Sequence, residues 1–273
     1  MPTPPPALPS DRLEALDAFL VELNRASAAV ILPLFRVENG LENKAGPGDF
    51  DPVTAADKGA EAAIRRLIGE HYPEHGVIGE EYGEDRPEAA FVWVLDPVDG
   101  TRAFIAGLPV WTTLIGLRFQ GRPVLGSIGQ PYVGEVFIGH AGGARLLARG
   151  EERPLKARSC ARLSDAVIAT TDPNLFRGPR HAAWERVRAA VRLSRYGCDA
   201  YAYAMVAAGC LDLVIERGLK SWDIDAALPV IAGAGGFVTD WAGAPVGPHG
   251  GDVVISGGEA CLSQALSLLA ASA

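Results

Sequence analysis

The sequence predicts an α/β protein, an α+β layered sandwich of two sub-domains. Three observations carry that expectation. Short apolar runs punctuated by glycine between residues 113 and 148 read as antiparallel strands. From residue 166 onward, strand-like and helix-like segments alternate more regularly. Between these two regions, residues 150–164 are polar and irregular, as a junction is. The 273 residues are 48% hydrophobic and 21% charged, which excludes a disordered chain and leaves room for one large domain or two fused halves. No repeat of solenoid period is present.

Taken in order, residues 1–9 are proline-rich and predict a disordered lead-in without the basic region or apolar core of a signal peptide. From Ser10, the apolar positions Leu13, Leu16, Leu20, Leu23, Ala26, Val30, Ile31 and Leu34 recur mostly at three and four residues, an amphipathic helix. Ser10 and Asp11 are its expected caps, and Pro33 is expected to bend its end. Residues 40–51 read as a loop, after which Thr54 caps a helix over 55–68. Strands are expected at 77–78, 91–95, 113–118, 122–129, 135–138 and 144–148. The junction then divides a sub-domain at 10–150 from one at 151–273. In the second, strands are expected at 166–169, 192–196, 211–215, 236–239 and 253–255. Helices are expected at 181–191, 200–208, 223–232 and 259–270.

Composition excludes several function classes. Twenty-five basic against 33 acidic residues give a net charge of −8, without the Lys/Arg clusters of a nucleic-acid binder. The longest charge-free apolar stretches, 28–35 and 226–238, are too short or too rich in Gly and Pro to span a bilayer. A soluble, cytoplasmic protein is the expectation. Cys160, Cys198, Cys210 and Cys261 show no metal or redox spacing and read as buried free thiols. No cysteine is followed by arginine six residues later, and no GxSxG, GxxxxGK[ST] or HExxH string occurs. Asp223-Ile224-Asp225 is a DxD, but Ala227 stands where an aspartyl nucleophile motif needs Thr or Val. The five histidines read as surface or structural residues; Pro73 separates the one close pair, His71 and His75.

The chemistry concentrates in the string from Trp93 to Phe104. A buried strand delivers Asp96 and Asp99 at its C-terminal end, Pro97 stiffens the turn, and Gly100 permits close backbone approach. Two carboxylates three residues apart at a rigid turn can converge on a hard cation such as Mg²⁺. The amides of Gly100, Thr101 and Arg102, at the start of a helix, suit a phosphate. Gly79-Glu80-Glu81 follows another short strand, Asp57 lies in the first turn of the helix capped by Thr54, and Trp222-Asp223 begins a third acidic site. Alone, Glu80-Glu81 reads more readily as a solvated surface and Asp223 as an N-cap, and Asp57 equally serves to complement the helix dipole.

Together, the four segments resemble the inositol monophosphatase superfamily of Mg²⁺-dependent small-molecule phosphatases. The matching strings are Asp51-Pro52-Val53-Thr54-Ala55-Ala56-Asp57, Gly79-Glu80-Glu81, Asp96-Pro97-Val98-Asp99-Gly100-Thr101, and Trp222-Asp223-Ile224-Asp225-Ala226-Ala227 leading to Ala234-Gly235-Gly236, in that order. The resemblance implies an inositol monophosphatase/sugar phosphatase-like fold with two sub-domains and two to three Mg²⁺ ions. It implies one ion on Glu80, Asp96 and the Val98 carbonyl, a second on Asp96, Asp99 and Asp223, and a weaker third near Glu80 and Asp57. Thr101, hydrogen-bonded to Asp57, then orients and activates water together with Glu80. A homodimer is also implied.

For the leaving group, the string Gly197-Cys198-Asp199-Ala200-Tyr201-Ala202-Tyr203 looks like the histidinol-phosphatase branch. Asp199 and Glu216 then supply acids on the alcohol side for an amine and an imidazole, so histidinol phosphate is the expected small-molecule phosphomonoester. Inositol-1-phosphate, where Glu216 alone serves, and 3′-phosphoadenosine nucleotides stay open, as does a non-catalytic ligand-binding member. None of Glu80, Asp96, Asp99, Thr101 or Asp223 is lost, which favours an enzyme. The sequence departs from the pattern in a longer, glycine-rich stretch at 43–51, in Trp111 where a smaller aromatic is expected, and in Arg217 beside Glu216.

Overall fold

The computed structural model describes residues 8–37, 42–43 and 52–271. Most of the expected lead-in, and residues 44–51 of the long loop, lie outside them. The first helix, α1 (Ser10–Ile31), begins after Pro9 with no side-chain cap, so Ser10 and Asp11 are helical residues rather than caps. Pro33 sits in a separate 3-10 turn, Leu32–Leu34, because a proline without an N–H is tolerated in a first turn. The short pair β1 (Glu42–Asn43) and β2 (Pro52–Val53) is antiparallel. Helix α2 (Ala55–His71) runs three residues past the expected end, and Thr54 and Asp57 form a reciprocal capping box at its start.

Next come β3 (Gly76–Gly79), β4 (Gly83–Asp85) and β5 (Phe91–Asp99), then α3 (Thr101–Ile105). The strands β6 (Thr112–Phe119), β7 (Arg122–Gln130), β8 (Glu135–His140), β9 (Gly143–Ala148) and β10 (Glu151–Pro154) follow. Among the described residues, β3 to β10 form one eight-stranded sheet in the order β10-β9-β8-β7-β6-β5-β3-β4. β4 and β10 are exposed, polar and at its edges, where no apolar alternation marks a strand. β10 pairs with β9, so the first sheet extends beyond the junction expected at residue 150.

The second half contains β11 (Val167–Thr170), α4 (Pro179–Ala190), β12 (Leu193–Tyr196), α5 (Asp199–Ala207) and β13 (Leu213–Leu219). It continues with α6 (Ser221–Ile224), α7 (Ala227–Gly233), β14 (Phe237–Asp240), β15 (Gly251–Ser256) and α8 (Glu259–Ala270). Five of these strands form a mixed sheet in the order β12-β11-β13-β15-β14. The helix expected at 223–232 is thus broken into α6 and α7, with an elbow at Asp225-Ala226. That elbow is held by a buried ion pair from Arg118 on β6 to Asp225.

Apolar clusters stack these elements in layers. Leu16, Leu20 and Leu23 of α1 and Ile64 of α2 pack on Trp93, Leu95 and Ile115 of the first sheet. The opposite face, with Leu114, Ile128 and Phe137, meets α5 and α7, which also pack on Val214, Val253 and Ile255 of the second sheet. Trp184 and Val187 of α4 and Cys261 and Leu269 of α8 cover the far side with Ile168 and Val254. The α7 layer approaches the first sheet along a glycine lane. Gly116, Gly126 and Gly139 are cross-strand neighbours on β6, β7 and β8. A Cβ on Gly126 or Gly139 would run into the backbone of Ala226 or Val230, and one on Gly116 would press on Asp225 and Ala226. The elbow and α7 therefore lie directly on the strands.

All four cysteines are free, but only Cys160 and Cys261 are buried; Cys198 is half-buried and Cys210 exposed, since both flank the ends of α5. Among the described residues no helix is long and apolar enough to cross a membrane.

Candidate active site

The strand β5 runs four residues further than expected, so Asp96 and Asp99 both belong to it, and its pairing with β6 shifts register between them. A bulge of this kind re-aims side chains, here two acids three residues apart. Asp96 is 3% exposed, and its Oδ1 accepts the Val98 N–H at 3.1 Å. Asp99 Oδ2 accepts from the Ala200 N–H at 2.7 Å and from Thr112 Oγ1 at 3.3 Å, tying β5 to the start of α5 and to β6. Asp223 arrives from the second half on α6, its Oδ2 accepting the Lys220 N–H at 2.6 Å. One carboxylate oxygen from each of Asp96, Asp99 and Asp223 lies within 4.8 Å of the others.

Gathering these acids is electrostatically costly. Burial pushes Asp96 well above the usual carboxylate range, and the charges of Glu80, Asp99, Asp223 and Asp57 push it further. Burial also raises Asp99, with Asp199 and Asp223 adding to it. Asp223 is pushed up to about 6 by burial, opposed by the Lys220 N–H and the Lys220 charge. A hard divalent cation suits this arrangement, because each of the three converging donors is a carboxylate oxygen and their charges raise one another. The residues present fit Mg²⁺.

Around this triad stand the remaining expected residues. The Glu80 N–H donates to Leu95 O at 3.2 Å, which continues the β3–β5 ladder and sets Glu80 beside Asp96. Asp57, 2% exposed, uses Oδ2 for the capping box, accepting from Thr54 N at 2.8 Å and Thr54 Oγ1 at 2.5 Å. Its Oδ1 lies 3.4 Å from Thr101 Oγ1, which also approaches Val98 O at 3.1 Å. The single proton of this hydroxyl serves one of the two acceptors at a time, and with it on Asp57 the Val98 carbonyl expected to face a metal keeps both lone pairs. Gly100 adopts φ +83°, and a Cβ there would lie 2.9 Å from Asp199 Oδ2. Glycine is needed at this position twice over, for the left-handed backbone and for the approach of Asp199.

On the expected alcohol side, Gly197 turns the chain with φ +73°, and Asp199 opens α5 at φ +43°. Burial raises Asp199 to about 6, offset by a Thr171 hydrogen bond and the Arg102 charge. Glu216 differs from expectation. It is 2% exposed, with Oε1 accepting Thr171 N at 2.8 Å and Thr171 Oγ1 at 3.0 Å, and Oε2 facing Thr170 Oγ1 at 3.4 Å. Burial pushes it up to about 8. It ties β11 to β13 and reaches Asp199 through Thr171, rather than standing as a second open carboxylate. Arg217 is also turned elsewhere, donating to Leu175 O at 2.8 Å. Trp111 is core, packed with Phe35 and Phe104. Sequence reasoning missed Thr112, Thr171 and Lys220, because their contacts with the acids depend on strand register and on a local cap rather than on a motif.

Comparison with known proteins gives a consistent set of similarities. The profile of the inositol monophosphatase family matches residues 12–272. The chloroplastic bifunctional phosphatase IMPL2 of Arabidopsis thaliana is 46% identical over 85% of this chain and 65% of its own length, just under two thirds. A histidinol-phosphatase of Mycobacterium tuberculosis is 34% identical over 77% of this chain and 82% of its own. Among solved structures, an inositol monophosphatase from Zymomonas mobilis superposes with a TM-score of 0.83 at 38% identity, covering 94% of this chain and 98% of that one.

Proposed function

Because this chain belongs to the inositol monophosphatase family of phosphoric monoester hydrolases, we propose that it is a Mg²⁺-dependent phosphatase of L-histidinol phosphate. Water attacks phosphorus, the ester P–O bond breaks, and histidinol and inorganic phosphate leave. The observation that carries the hydrolytic reading is the convergence of Asp96, Asp99 and Asp223 from two halves of the chain onto one point. The family is metal-dependent; Mg²⁺ and a complement of two or three ions are part of the proposal.

Glu80, Asp96, the Val98 carbonyl, Asp99 and Asp223 would hold the ions. When bound, Mg²⁺ supplies positive charge against the phosphate and lowers the pKa of water. Thr101 orients the attacking water: with its hydroxyl proton directed to Asp57 Oδ1, the oxygen lone pairs are free to accept from it. Glu80, beside Asp96, accepts the proton that the water loses, and a solvent water protonates the departing alkoxide, so that histidinol leaves as the alcohol. Gly100, Thr101 and Arg102 form the phosphate side. Gly197 and Asp199 form the alcohol side, with Glu216 acting on Asp199 through Thr171. Asp199 supports histidinol phosphate, since a carboxylate there suits a cationic leaving group.

The reading it must beat is inositol-1-phosphate, favoured by the 38% identity to the Zymomonas structure over nearly the whole chain. Asp199→Asn separates them. A charge-assisted hydrogen bond to an ammonium is worth about ten- to a hundredfold in rate. The variant is expected to lose that much kcat/KM on histidinol phosphate and little on inositol-1-phosphate, measured by phosphate release. Equal losses assign Asp199 a structural role and withdraw the substrate. A homodimer and a cytoplasmic setting complete the proposal; sedimentation as a monomer removes the former.

A further inference from the structure

Glu61 is a buried acid for which the mechanism above has no use. It lies four residues after Asp57, on the same face of α2. Its side chain is fully shielded from solvent. Oε2 accepts the Glu81 N–H at 2.8 Å, and Oε1 accepts the Tyr82 N–H at 3.2 Å and Arg65 Nε at 2.7 Å. Arg65 also donates to Gly83 O, so α2 grips the turn between β3 and β4 along its length. Gly79 makes room for this contact: a Cβ there would overlap the Glu61 carboxylate. The backbone of Glu80 is thereby fixed on both sides, by Leu95 O before it and by Glu61 after it.

An exposed Glu–Arg pair at helical spacing contributes little, but a carboxylate shielded from water needs each of its hydrogen bonds. We propose that Glu61 is a positioning residue that sets the approach of Glu80 to Asp96. One face of α2 then registers two parts of the site at once, Thr101 through Asp57 and Glu80 through Glu61. The inference rests on the metal-dependent reading above, and it assigns the turn's geometry, rather than Glu80 alone, to ion binding.

The test is Glu61→Gln in the full chain, with Mg²⁺ binding measured by calorimetry without substrate, followed by kcat and KM. The expected result is Mg²⁺ binding weaker by roughly ten- to a hundredfold, as for other supporting partners of metal ligands. At saturating Mg²⁺, kcat is expected to fall with substrate KM nearly unchanged, and Glu61→Ala to be worse than Glu61→Gln. A variant with a lowered Tm but wild-type Mg²⁺ affinity and kcat shows a merely structural role and overturns the proposal. If the wild-type protein itself does not bind Mg²⁺, the phosphatase reading fails first, and this inference with it. Hydrogen exchange of the wild type supplies a check independent of variant folding. Slow exchange of the Glu81 and Tyr82 amides is expected, and exchange at the rate of an open turn overturns the proposal.

Discussion

Two regions of the first sheet bury ionisable groups and treat them in opposite ways. At one end, His75 is fully buried between the rings of Tyr72 and Phe91, with centroids 4.7 and 4.8 Å away. Trp93 Nε1 donates to its Nδ1 at 3.1 Å, and burial lowers its pKa to about 4. The group is made neutral and becomes part of the packing. At the C-terminal end of β5, by contrast, burial falls on acids gathered around Asp96, each raising the others. A buried charge that the fold neutralises is architecture. Like charges that the fold concentrates call for a partner from outside, and that distinction separates the site from the core without any motif.

The strongest way to break this comparison is Asp96→Asn. If Asp96 lies at the centre of the ion-binding set, removing its charge is expected to lower kcat by orders of magnitude at any Mg²⁺ concentration. Turnover retained in this variant would show the concentration of acids to be incidental.

A second test uses pH in the chelated protein. Asp223 and Asp199, at about 6, and Glu216, at about 8, sit above their unfolded values. The folded state therefore binds more protons between those limits, and stability is fully present below the unfolded carboxylate range and lost as pH rises. The Tm of the metal-free protein is expected to fall between pH 5 and 8, and added Mg²⁺ to restore it. A Tm indifferent to Mg²⁺ at pH 8 would count against an ion at this position. The smallest effect belongs to His75, whose folded pKa lies below the unfolded one. There the unfolded chain binds the proton, so its contribution is present above about 6.5 and lost as pH falls toward about 4. His75→Gln is expected to flatten the acid limb of Tm against pH, whatever it does to Tm itself.

Legibility from sequence follows the range of the interactions. Asp96-Pro97-Val98-Asp99-Gly100-Thr101 was readable because a strand end, a glycine turn and a helix start are local events. Thr54 was readable as a cap for the same reason. Glu61 was not, since its partners lie 20 and 21 residues away across a turn. The break between α6 and α7 was also hidden: the apolar run through 226–231 continues a helical pattern, and only the pairing of Asp225 with Arg118, 107 residues earlier, shows why the chain bends. β4 and β10 were missed because exposed edge strands carry no apolar alternation. Glu216 falls just beyond the strand expected at 211–215, whereas β13 runs on to Leu219 and holds it, and its partners Thr170 and Thr171 come from the neighbouring strand and its end.

The glycine lane has a consequence for the order of assembly. Gly116, Gly126 and Gly139 form a continuous track only when β6, β7 and β8 are paired in their final register. A one-residue slip in β7 brings side chains instead of bare backbone under the elbow. Docking of α7, and with it delivery of Asp223 to Asp96 and Asp99, is therefore expected to follow completion of the central hairpins. The contacts it makes are also among the most distant in the chain, which places them late on entropic grounds. In a refolding time course, sheet structure precedes competence to bind the ion, and a nascent chain released before residue 223 carries half of a site that closes only on the sheet it has already built.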